Sequence, residues 1–503
     1  MLSTSNTPRA AAFSQASSKH TPTDALGKWA RHAKDIALAK TLANMSPADG
    51  QPGAVLASPS RANPDYYYHW VRDAARTMRL FVHLYNTSDA SGKRLARIDY
   101  HTLLERYVTF SKLNQATSTL SASPGEPKFY VTGESYSEAW GRPQNDGPAQ
   151  RAYVLTRWAQ HLLMEGEEAY VRGVLYDGRL PSFSVIKTDL EFVAHHWRDP
   201  CFDLWEEISG QHFFTRLQQR QALVEGAALA EHLGDPRAAA YYLEQASVIE
   251  SQMDQFWSPG ENYLKATVPS PGGFKSTDLD AAVVLAVCET YSKHFPSYTP
   301  DSDRVLATAF ALHSAFLPMY AINRLARTTE GKPIFPGIGR YPDDTYDGGQ
   351  PRNVGNPWFL CTLTLSELCY KASSLFKSKP SISINGQNVG MLNLAAQLTD
   401  PSIALAAGNT VRQESREHRA IVTGLFAAGD AYLRRVQLHA GEDCSLSEQF
   451  NRNTGAIQSA RDLTWSYVAM ILTESWRSLA AREALVDSRV SAEQPQLISA
   501  TGK

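Results

Sequence analysis

The feature that most constrains the fold is a succession of helical patterns through nearly the whole 503-residue chain. Apolar residues recur with i, i+3, i+4 spacing in about a dozen segments, which is typical of amphipathic helices. Asp, Ser or Pro stands before several of them, where these residues favour the start of a helix. The segments are residues 25–45, 70–85, 99–113, 148–164, 190–197, 213–233, 236–257, 278–294, 304–326, 357–376, 390–398, 414–438 and 462–479.

Strand patterns are almost absent. Only residues 128–132 and 381–384 resemble short strands, and no linker marks a domain boundary. We therefore predict one large all-α domain over residues 25–482, with a disordered tail at 1–24 and a flexible tail at 483–503. The links between helices hold the distinctive polar and aromatic peptides. A toroid of paired helices presents such links as loops at one end, where a site forms.

Composition excludes several classes of function. The formal net charge of −2, without a basic block, argues against nucleic-acid binding and a polybasic membrane surface. No apolar run approaches the roughly 18 residues of a membrane span. The five cysteines lack metal-like spacing, so free thiols are expected, although one or two bridges stay open. Residues 1–23 lack a secretory signal core, which predicts a cytoplasmic protein.

Two acidic peptides far apart in the chain indicate chemistry. Residues 203–207 read DLWEE, and Trp205 desolvates the neighbouring Glu206, which raises the pKa of a carboxyl. Residues 447–449 read SEQ, and hydrogen bonds there keep Glu448 ionised. One protonated and one ionised carboxyl are what glycosidic bond cleavage requires. The chain has 51 acidic residues, so either peptide alone is more typical of a helix-end carboxylate.

Seven peptides occur in an order that is typical of one family. They read NPDYYYHWVRD (63–73), WGRPQNDGP (140–148), DLWEEISG (203–210), GRYPDDTY (339–346), GNPW (355–358), SEQF (447–450) and ARDLTWS (460–466). Together they resemble the glucoamylases of glycoside hydrolase family 15. The resemblance implies an (α/α)6 barrel and an exo-acting, inverting enzyme. It would release β-glucose from the non-reducing ends of starch, glycogen or malto-oligosaccharides, cutting α-1,4 links and, more slowly, α-1,6 links.

The resemblance also implies roles for single residues. Glu206 matches the general acid and Glu448 the general base of the family. Arg72 and Asp73 match the pair that holds the hydroxyls of the terminal glucose, although an exposed ion pair would also explain them. Tyr66 matches the tyrosine near the ring oxygen. The other substrate-binding residues that the resemblance implies are Trp70, Trp140, Arg142, Leu204, Trp205, Glu207, Arg340, Asp344, Trp358 and Trp465.

Three local expectations accompany these roles. Asp146 is expected to be the N-cap of the helix that begins at Pro148. If residues 203–207 are helical, Glu207 points about 100° away from Glu206. The connection at 347–354 is longer than in the shortest family members and would reshape the side of the cavity where the leaving group binds.

Two other functions remain open. One is a non-catalytic glucan-sensing module, like the glucoamylase-like domains of phosphorylase kinase regulatory subunits. The other is a family relative that acts on dextran or trehalose. Both carboxylates and the Arg72–Asp73 pair are present, which favours the glucoamylase.

The expected partner is an α-glucan, with no metal or cofactor in the mechanism, and the expected state is a monomer. No carbohydrate-binding module follows residue 480, which favours soluble glucans over granular starch.

Overall fold

The computed structural model describes residues 24–88, 99–269, 275–291, 298–349 and 354–492. Fourteen α-helices lie in this part of the chain. They are α1 (Ala25–Ala43), α2 (Val71–Ser88), α3 (Tyr100–Ala116), α4 (Asp146–Met164), α5 (Glu168–Tyr170), α6 (Val185–His196), α7 (Phe213–His232), α8 (Pro236–Gln252), α9 (Ala282–Thr290), α10 (Asp303–Phe316), α11 (Phe359–Lys377), α12 (Val389–Thr399), α13 (Arg416–His439) and α14 (Thr464–Ala492).

Six helices form a closed inner ring. Each inner helix contacts the next in the order α2, α4, α7, α9, α11 and α14, and α14 contacts α2. Each inner helix has one outer partner: α3, α6, α8, α10, α13 and α1, in the same order. Helix α12 packs outside this double ring, against α13 and α10. The predicted (α/α)6 barrel is confirmed.

The burial of each helix follows its layer. All nine residues of inner helix α9 are buried, and inner helix α11 is buried along almost its whole length. Outer helix α8 buries a single stripe, formed by Ala239, Tyr242, Gln245, Ala246 and Ile249. A helix enclosed on all sides is apolar all round, whereas a surface helix needs only one apolar face. Inner helix α9 accordingly reads as an almost continuous apolar run, whereas outer helix α8 carries one apolar stripe.

Helix boundaries differ from the sequence prediction at several points. Asp24, which we assigned to the tail, is the N-cap of α1, and its side chain accepts from the Gly27 amide at 3.1 Å. Helix α14 continues to Ala492, thirteen residues beyond the helix end predicted at 479 and ten beyond the predicted domain limit at 482. The segment predicted as one helix over 304–326 ends at Phe316 and resumes as a 3₁₀ turn, Ala321–Arg324. Residues 1–23 and 493–503 lie outside the described residues.

Short strands are more numerous than the sequence indicates. The described residues contain eleven: β1 (His69–Trp70), β2 (Lys128–Phe129), β3 (Cys201–Phe202), β4 (Ser209–His212), β5 (Trp257–Ser258), β6 (Tyr263–Leu264), β7 (Thr267–Val268), β8 (Ser381–Ser383), β9 (Thr410–Arg412), β10 (Ser447–Phe450) and β11 (Ile457–Arg461). They form five small antiparallel sheets of two or three strands. The two predicted strands correspond to β2 and β8. Strands of two to five residues are too short to reveal a period of two.

The links that precede the inner helices meet at one end of the barrel. Strand β1 leads directly into α2, the β3–β4 hairpin into α7, and β11 into α14. The N-termini of the inner helices therefore point to this end. Each contributes partial positive charge from its unsatisfied N–H groups, which favours carboxylates there.

Two global features are plain from the structure. No helix among the described residues is long and apolar enough to cross a bilayer. All five cysteines are buried and free, as the spacing predicts, because buried thiols behave as small apolar side chains.

The contact between the two helical layers provides a stability test. A Cβ added at Gly429 of α13 would lie 2.6–2.8 Å from the ring of Tyr370 on α11, which is fully buried and bonded to Asp430. Overpacking of this kind costs about 1–3 kcal/mol. We expect Gly429→Ala to lower the free energy of unfolding by that amount in urea titrations.

The matched control is Gly173→Ala, because no atom lies within 4 Å of a Cβ there. Its unfolding free energy should stay within about 0.5 kcal/mol of the parent. Equal stability of the two variants would contradict the close packing of α13 on α11.

Candidate active site

A cavity of about 410 Å³ opens at the end of the barrel where the inner helices begin. Its size lies within the 300–1,000 Å³ range that is usual for small-molecule sites. Thirteen of the fifteen predicted site residues line it: Tyr66, Trp70, Arg72, Asp73, Trp140, Leu204, Trp205, Glu206, Glu207, Arg340, Trp358, Glu448 and Trp465. The barrel thus brings Glu206 and Glu448 to one cavity across 242 positions of sequence.

Glu206 lies in a tight turn between β3 and β4. The strands pair Cys201 with Gly210, and the Glu206 amide donates to the Asp203 carbonyl at 2.9 Å. The turn holds Glu206 in the left-handed region at φ 68°, where residues other than glycine are uncommon. Backbone strain of this kind clusters at functional sites. The segment is not helical, so the turn itself separates the side chains of Glu206 and Glu207.

Four N–H donors converge on the Glu206 carboxylate. Oε1 accepts from the Trp70 indole at 2.6 Å, from the Gln144 amide at 3.0 Å and from the Arg72 guanidinium at 3.3 Å. Oε2 accepts from the Trp140 indole at 2.9 Å. Donors of this number fix the position of the carboxyl group and stabilise negative charge on it.

The apolar surroundings expected for Glu206 beside Trp205 are therefore wrong. The Trp205 indole nitrogen donates to Asp280 at 2.9 Å. Its ring packs near Trp358 and Trp465, with centroids 5.5 and 6.2 Å away. Because the backbone turns sharply between them, the two adjacent side chains have different neighbours. Trp205 contributes a wall of the cavity, while other segments surround the carboxyl group of Glu206.

Glu207 belongs to a second charged group. Its Oε1 accepts from Arg340 at 2.7 Å and its Oε2 from the Tyr341 hydroxyl at 2.8 Å. Arg340 also bonds both oxygens of Asp344, at 2.8 and 2.6 Å. Burial raises the pKa of Glu207, while the charges of Arg340 and Lys275 oppose that shift. The group fixes a planar guanidinium at the cavity wall, where it suits vicinal hydroxyls.

Glu448 occupies strand β10, where the ladder with β11 has a bulge between Ser447 and Gln449. Its side chain is only 1% exposed. Oε2 accepts from Ser459, and from the Gln449 amide at 3.2 Å. Burial raises the pKa of Glu448 to about 7, although the hydrogen bond from Ser459 and the charge of Arg340 oppose the shift. The expected hydrogen bond from Gln449 is present, but desolvation is the stronger influence on the carboxyl and raises its pKa.

Several residues that line the cavity carry buried polar atoms without a hydrogen bond. These atoms are Arg72 Nε and Asp73 Oδ2, which form an ion pair with each other at 3.5 Å, and the indole nitrogens of Trp358 and Trp465. Burial raises the pKa of Asp73 to about 6. Buried polar atoms without partners are costly, so a ligand rich in hydroxyl groups that satisfied them would bind favourably. Near Glu448, Tyr66 and Tyr346 share a hydroxyl–hydroxyl bond of 2.8 Å.

Two predicted site residues do not line the cavity. Arg142 bonds Glu126 at 2.7 Å and the carbonyls of Tyr136 and Glu138 at 2.7 and 2.9 Å, so it supports the loop of Trp140. Asp344 lies behind Arg340 and orients it. We therefore correct their assignment to direct substrate binding, because both side chains are fully engaged with protein groups.

Asp146 also differs from its expected role. Helix α4 begins at Asp146, its N-cap residue is Asn145, and no side chain caps it. Asp146 instead pairs with Arg72 at 3.3 Å. The negative charge thus lies in the first turn of α4, where the helix dipole also favours it.

Three residues around the two carboxylates were not predicted from the sequence. Lys128 lies against the indoles that bond Glu206, Asp280 anchors Trp205, and Ser459 bonds Glu448. Lys128 falls in a segment that the sequence marks as a strand. Asp280 falls in the segment predicted as a helix over 278–294, and Ser459 falls in β11, which the sequence does not mark, so only the fold reveals their neighbours. Residues 350–353 of the long 347–354 connection lie outside the described residues.

The arrangement of the two carboxyls suits proton transfer. Among the described residues, no group of three His, Cys, Asp or Glu side chains is placed to hold a metal ion. Two carboxyls face one cavity in different surroundings. One is held by four N–H donors, and the other is desolvated with a pKa near neutrality. Carboxyls with divergent environments are typical of acid–base pairs.

The Arg340–Asp344 pair provides a test of the site's framework. Removing one partner of a buried ion pair usually costs about 3–5 kcal/mol, because it leaves the other charge uncompensated. We expect Asp344→Asn to lower the unfolding free energy by about 3 kcal/mol, near the lower limit, because Arg340 keeps Glu207. The control is Asp49→Asn, whose ion pair with Arg61 is exposed and should leave the denaturation midpoint nearly unchanged. Equal midpoints for the two variants would contradict the framework role.

Comparison with known proteins agrees with this geometry. The model of the glycosyl hydrolases of family 15 matches residues 32–473. Glucoamylase 1 of Rhizopus oryzae is 36% identical over 447 residues, which cover 89% of this chain and 70% of that protein. The glucoamylase structure from Saccharomycopsis fibuligera has a TM-score of 0.79 at 31% identity, covering 91% of this chain and 96% of that one. The glucoamylase structure from Hypocrea jecorina has the same TM-score at 29% identity, covering 91% and 73%. The chain belongs to the glycosyl hydrolases of family 15.

Proposed function

We propose that this protein is an exo-acting, inverting glucoamylase that releases β-glucose from the non-reducing ends of α-glucans. One observation carries the proposal: Glu206 and Glu448, distant in sequence, line one small cavity together with unsatisfied polar atoms. The cavity's aromatic walls suit the faces of a sugar ring. Its free donors and acceptors suit sugar hydroxyls.

A closed floor supports exo action. Arg72 and Asp73 occupy the first turn of α2 at the cavity. One turn further on, Arg76 is buried and pairs with Glu289 of α9 in the barrel interior. Packed side chains thus lie below the cavity, so a glucan chain enters with its end only.

Hydrolysis assigns one proton transfer to each carboxyl. Glu206 gives its proton to the glycosidic oxygen as the bond from that oxygen to C1 breaks. Glu448 takes a proton from water as the water oxygen bonds C1 from the opposite face. The α-linked carbon thereby becomes β-glucose, and this step leaves Glu206 ionised and Glu448 protonated. Proton exchange with solvent then restores both groups for the next turnover. Such a pair acts when its carboxyl groups lie roughly 6.5–9.5 Å apart.

The surroundings of each carboxyl support its role. Negative charge develops on Glu206 as its proton leaves, and the indoles of Trp70 and Trp140 donate to the two oxygens that carry it. Preorganised donors of this kind stabilise a transition state. Burial raises the pKa of Glu448 to about 7, which makes its carboxylate a stronger base than an exposed glutamate. Arg72 and Asp73 hold the terminal hydroxyls, and Arg340 with Glu207 binds on the leaving side.

The first test is the anomeric form of the product. We expect maltoheptaose to give β-glucose first. Proton NMR spectra recorded before mutarotation would show which anomer forms. Glu206→Gln and Glu448→Gln each remove a proton carrier and should lower kcat by about 10²–10⁴-fold. Turnover near that of the parent in either variant would contradict that residue's role, and initial α-glucose would contradict inversion.

The same assay separates the two other functions. A glucan-sensing module would bind maltotriose without releasing glucose. A relative specific for dextran or trehalose would act faster on isomaltose or trehalose than on maltose. The glucoamylase proposal requires maltose and maltotriose to be the faster substrates.

The pH dependence follows from the desolvation of Glu448. A base must be ionised, and burial raises the pKa of this carboxyl from 4.5 to about 7. The acid limb of kcat/KM, which reports the free enzyme, should therefore lie near pH 7. On the alkaline side kcat/KM should fall, because Glu206 must keep the proton that it donates. Ser459→Ala removes a hydrogen bond that favours the ionised form, so its acid limb should move to higher pH. An acid limb near pH 4.5 in the parent would contradict the assignment.

A further inference from the structure

The ammonium group of Lys128 lies inside the aromatic wall of the cavity. Lys128 is 1% exposed. Its Nζ lies 3.2 Å from the ring centroid of Trp140, 3.8 Å from Tyr136, 4.5 Å from Tyr68 and 4.7 Å from Trp70. Lysine is almost never fully buried unless it is paired. Among the residues that the structure describes, its partners are these four rings.

Strand pairing and one loop place the four rings around Lys128. Strands β1 and β2 pair Trp70 directly with Lys128, so their side chains share one face of the small sheet. Tyr136 and Trp140 follow on the loop that Arg142 holds through Glu126 and backbone carbonyls. The rings also contact one another, with Trp70–Trp140 and Tyr136–Trp140 centroids 6.1 and 5.7 Å apart.

The two indoles beside Lys128 are the ones that donate to the acid. Trp70 bonds Glu206 Oε1 at 2.6 Å, and Trp140 bonds Oε2 at 2.9 Å. A cation is attracted to the face of an indole, whereas its N–H lies at the positive edge. Lys128 therefore holds the faces of both rings while their edges remain free to bond Glu206.

The charge of Lys128 is retained at neutral pH. Burial lowers the pKa of its ammonium to about 8, and the charge of Glu206 opposes that shift. The charges of Lys128 and Glu206 therefore attract each other across the two indoles.

We propose that Lys128 is a positioning residue for the general acid: its ammonium fixes Trp70 and Trp140 so that both indoles donate to Glu206, and this contribution is specific to the protonation of the leaving group. The inference rests on the proposed function. It goes beyond it by assigning a specific step to a buried side chain that lies behind the rings lining the cavity.

Two substrates isolate that step. Maltotriose needs a proton on its glycosidic oxygen, whereas α-glucosyl fluoride loses fluoride as an anion and has no such oxygen to protonate. Both need the base Glu448 to activate water. Loss of acid function alone therefore lowers kcat/KM for maltotriose and spares the fluoride. Glu206→Gln shows the effect of losing the acid alone, and Glu448→Gln shows the effect of losing the base, which both substrates need.

Lys128→Met keeps the length of the side chain and removes its charge. We expect kcat on maltotriose to fall at least tenfold with KM little changed, and kcat/KM on α-glucosyl fluoride to stay within about threefold of the parent. Lys128→Arg keeps a cation that stacks on aromatic rings and should recover part of the loss. If Lys128→Met does not fold, Lys128→Gln provides the same ratio.

Lys187→Met is the matched control. Lys187 is also 1% exposed, but it pairs with Asp235 at 2.5 Å, away from the cavity. Its loss should lower stability and leave the ratio of the two substrates unchanged. An equal fall on both substrates for Lys128→Met, or no fall on either, would overturn the positioning role. A parent protein inactive on both substrates would instead overturn the proposed function.

Discussion

Closure of the inner helical ring is the constraint on which the rest of the structure depends. Helices α2, α4, α7, α9, α11 and α14 meet in sequence and return to the first. Because the paired outer and inner helices alternate along the chain, from outer α1 to inner α14, every inner helix begins at the same end. The links before these helices therefore converge, although they are spread over nearly four hundred positions of sequence. No local interaction could bring these peptides together.

The two carboxyls at this end differ because different elements surround them. Glu206 occupies a strained turn and receives donors from the segments before α2 and α4. Glu448 lies in a strand ladder and loses water to its neighbours. One group is therefore defined by hydrogen bonds and the other by desolvation. Acid–base chemistry needs such a difference, and here it comes from the elements that carry each residue.

Aromatic rings connect these environments. Trp205 packs near Trp358 and Trp465, while Trp70 and Trp140 reach Glu206 with their N–H groups. The rings supply apolar walls and directed donors at once, which few other side chains can do. Lys128 lies against Trp70 and Trp140 behind the cavity, and Arg340 lies over Trp205 and Trp358 at the cavity wall. Charged side chains thus hold the aromatic rings in place, and the indole N–H groups in turn hold the Glu206 carboxyl group.

Much of the fold and most of the cavity residues could be predicted from the sequence. Helical periodicity is a local property, so it identified the all-α class, and the ordered peptides identified residues that line one cavity. The surroundings of single side chains were predicted poorly. Asp146 was expected to cap a helix and Arg142 to bind substrate, yet one pairs with Arg72 and the other supports a loop. Short strands escaped detection because two residues carry no period.

The sequence by itself determined the helical class, the order of the motifs and the identity of both carboxylates. These depend on local spacing and residue type, which the chain carries without folding. Only the tertiary structure decided that Glu206 accepts four N–H donors, that burial raises the pKa of Glu448 to about 7, and that Lys128 lies among four rings. Solvation and electrostatics at a residue depend on neighbours in space, and those neighbours come from distant segments that meet only when the ring closes.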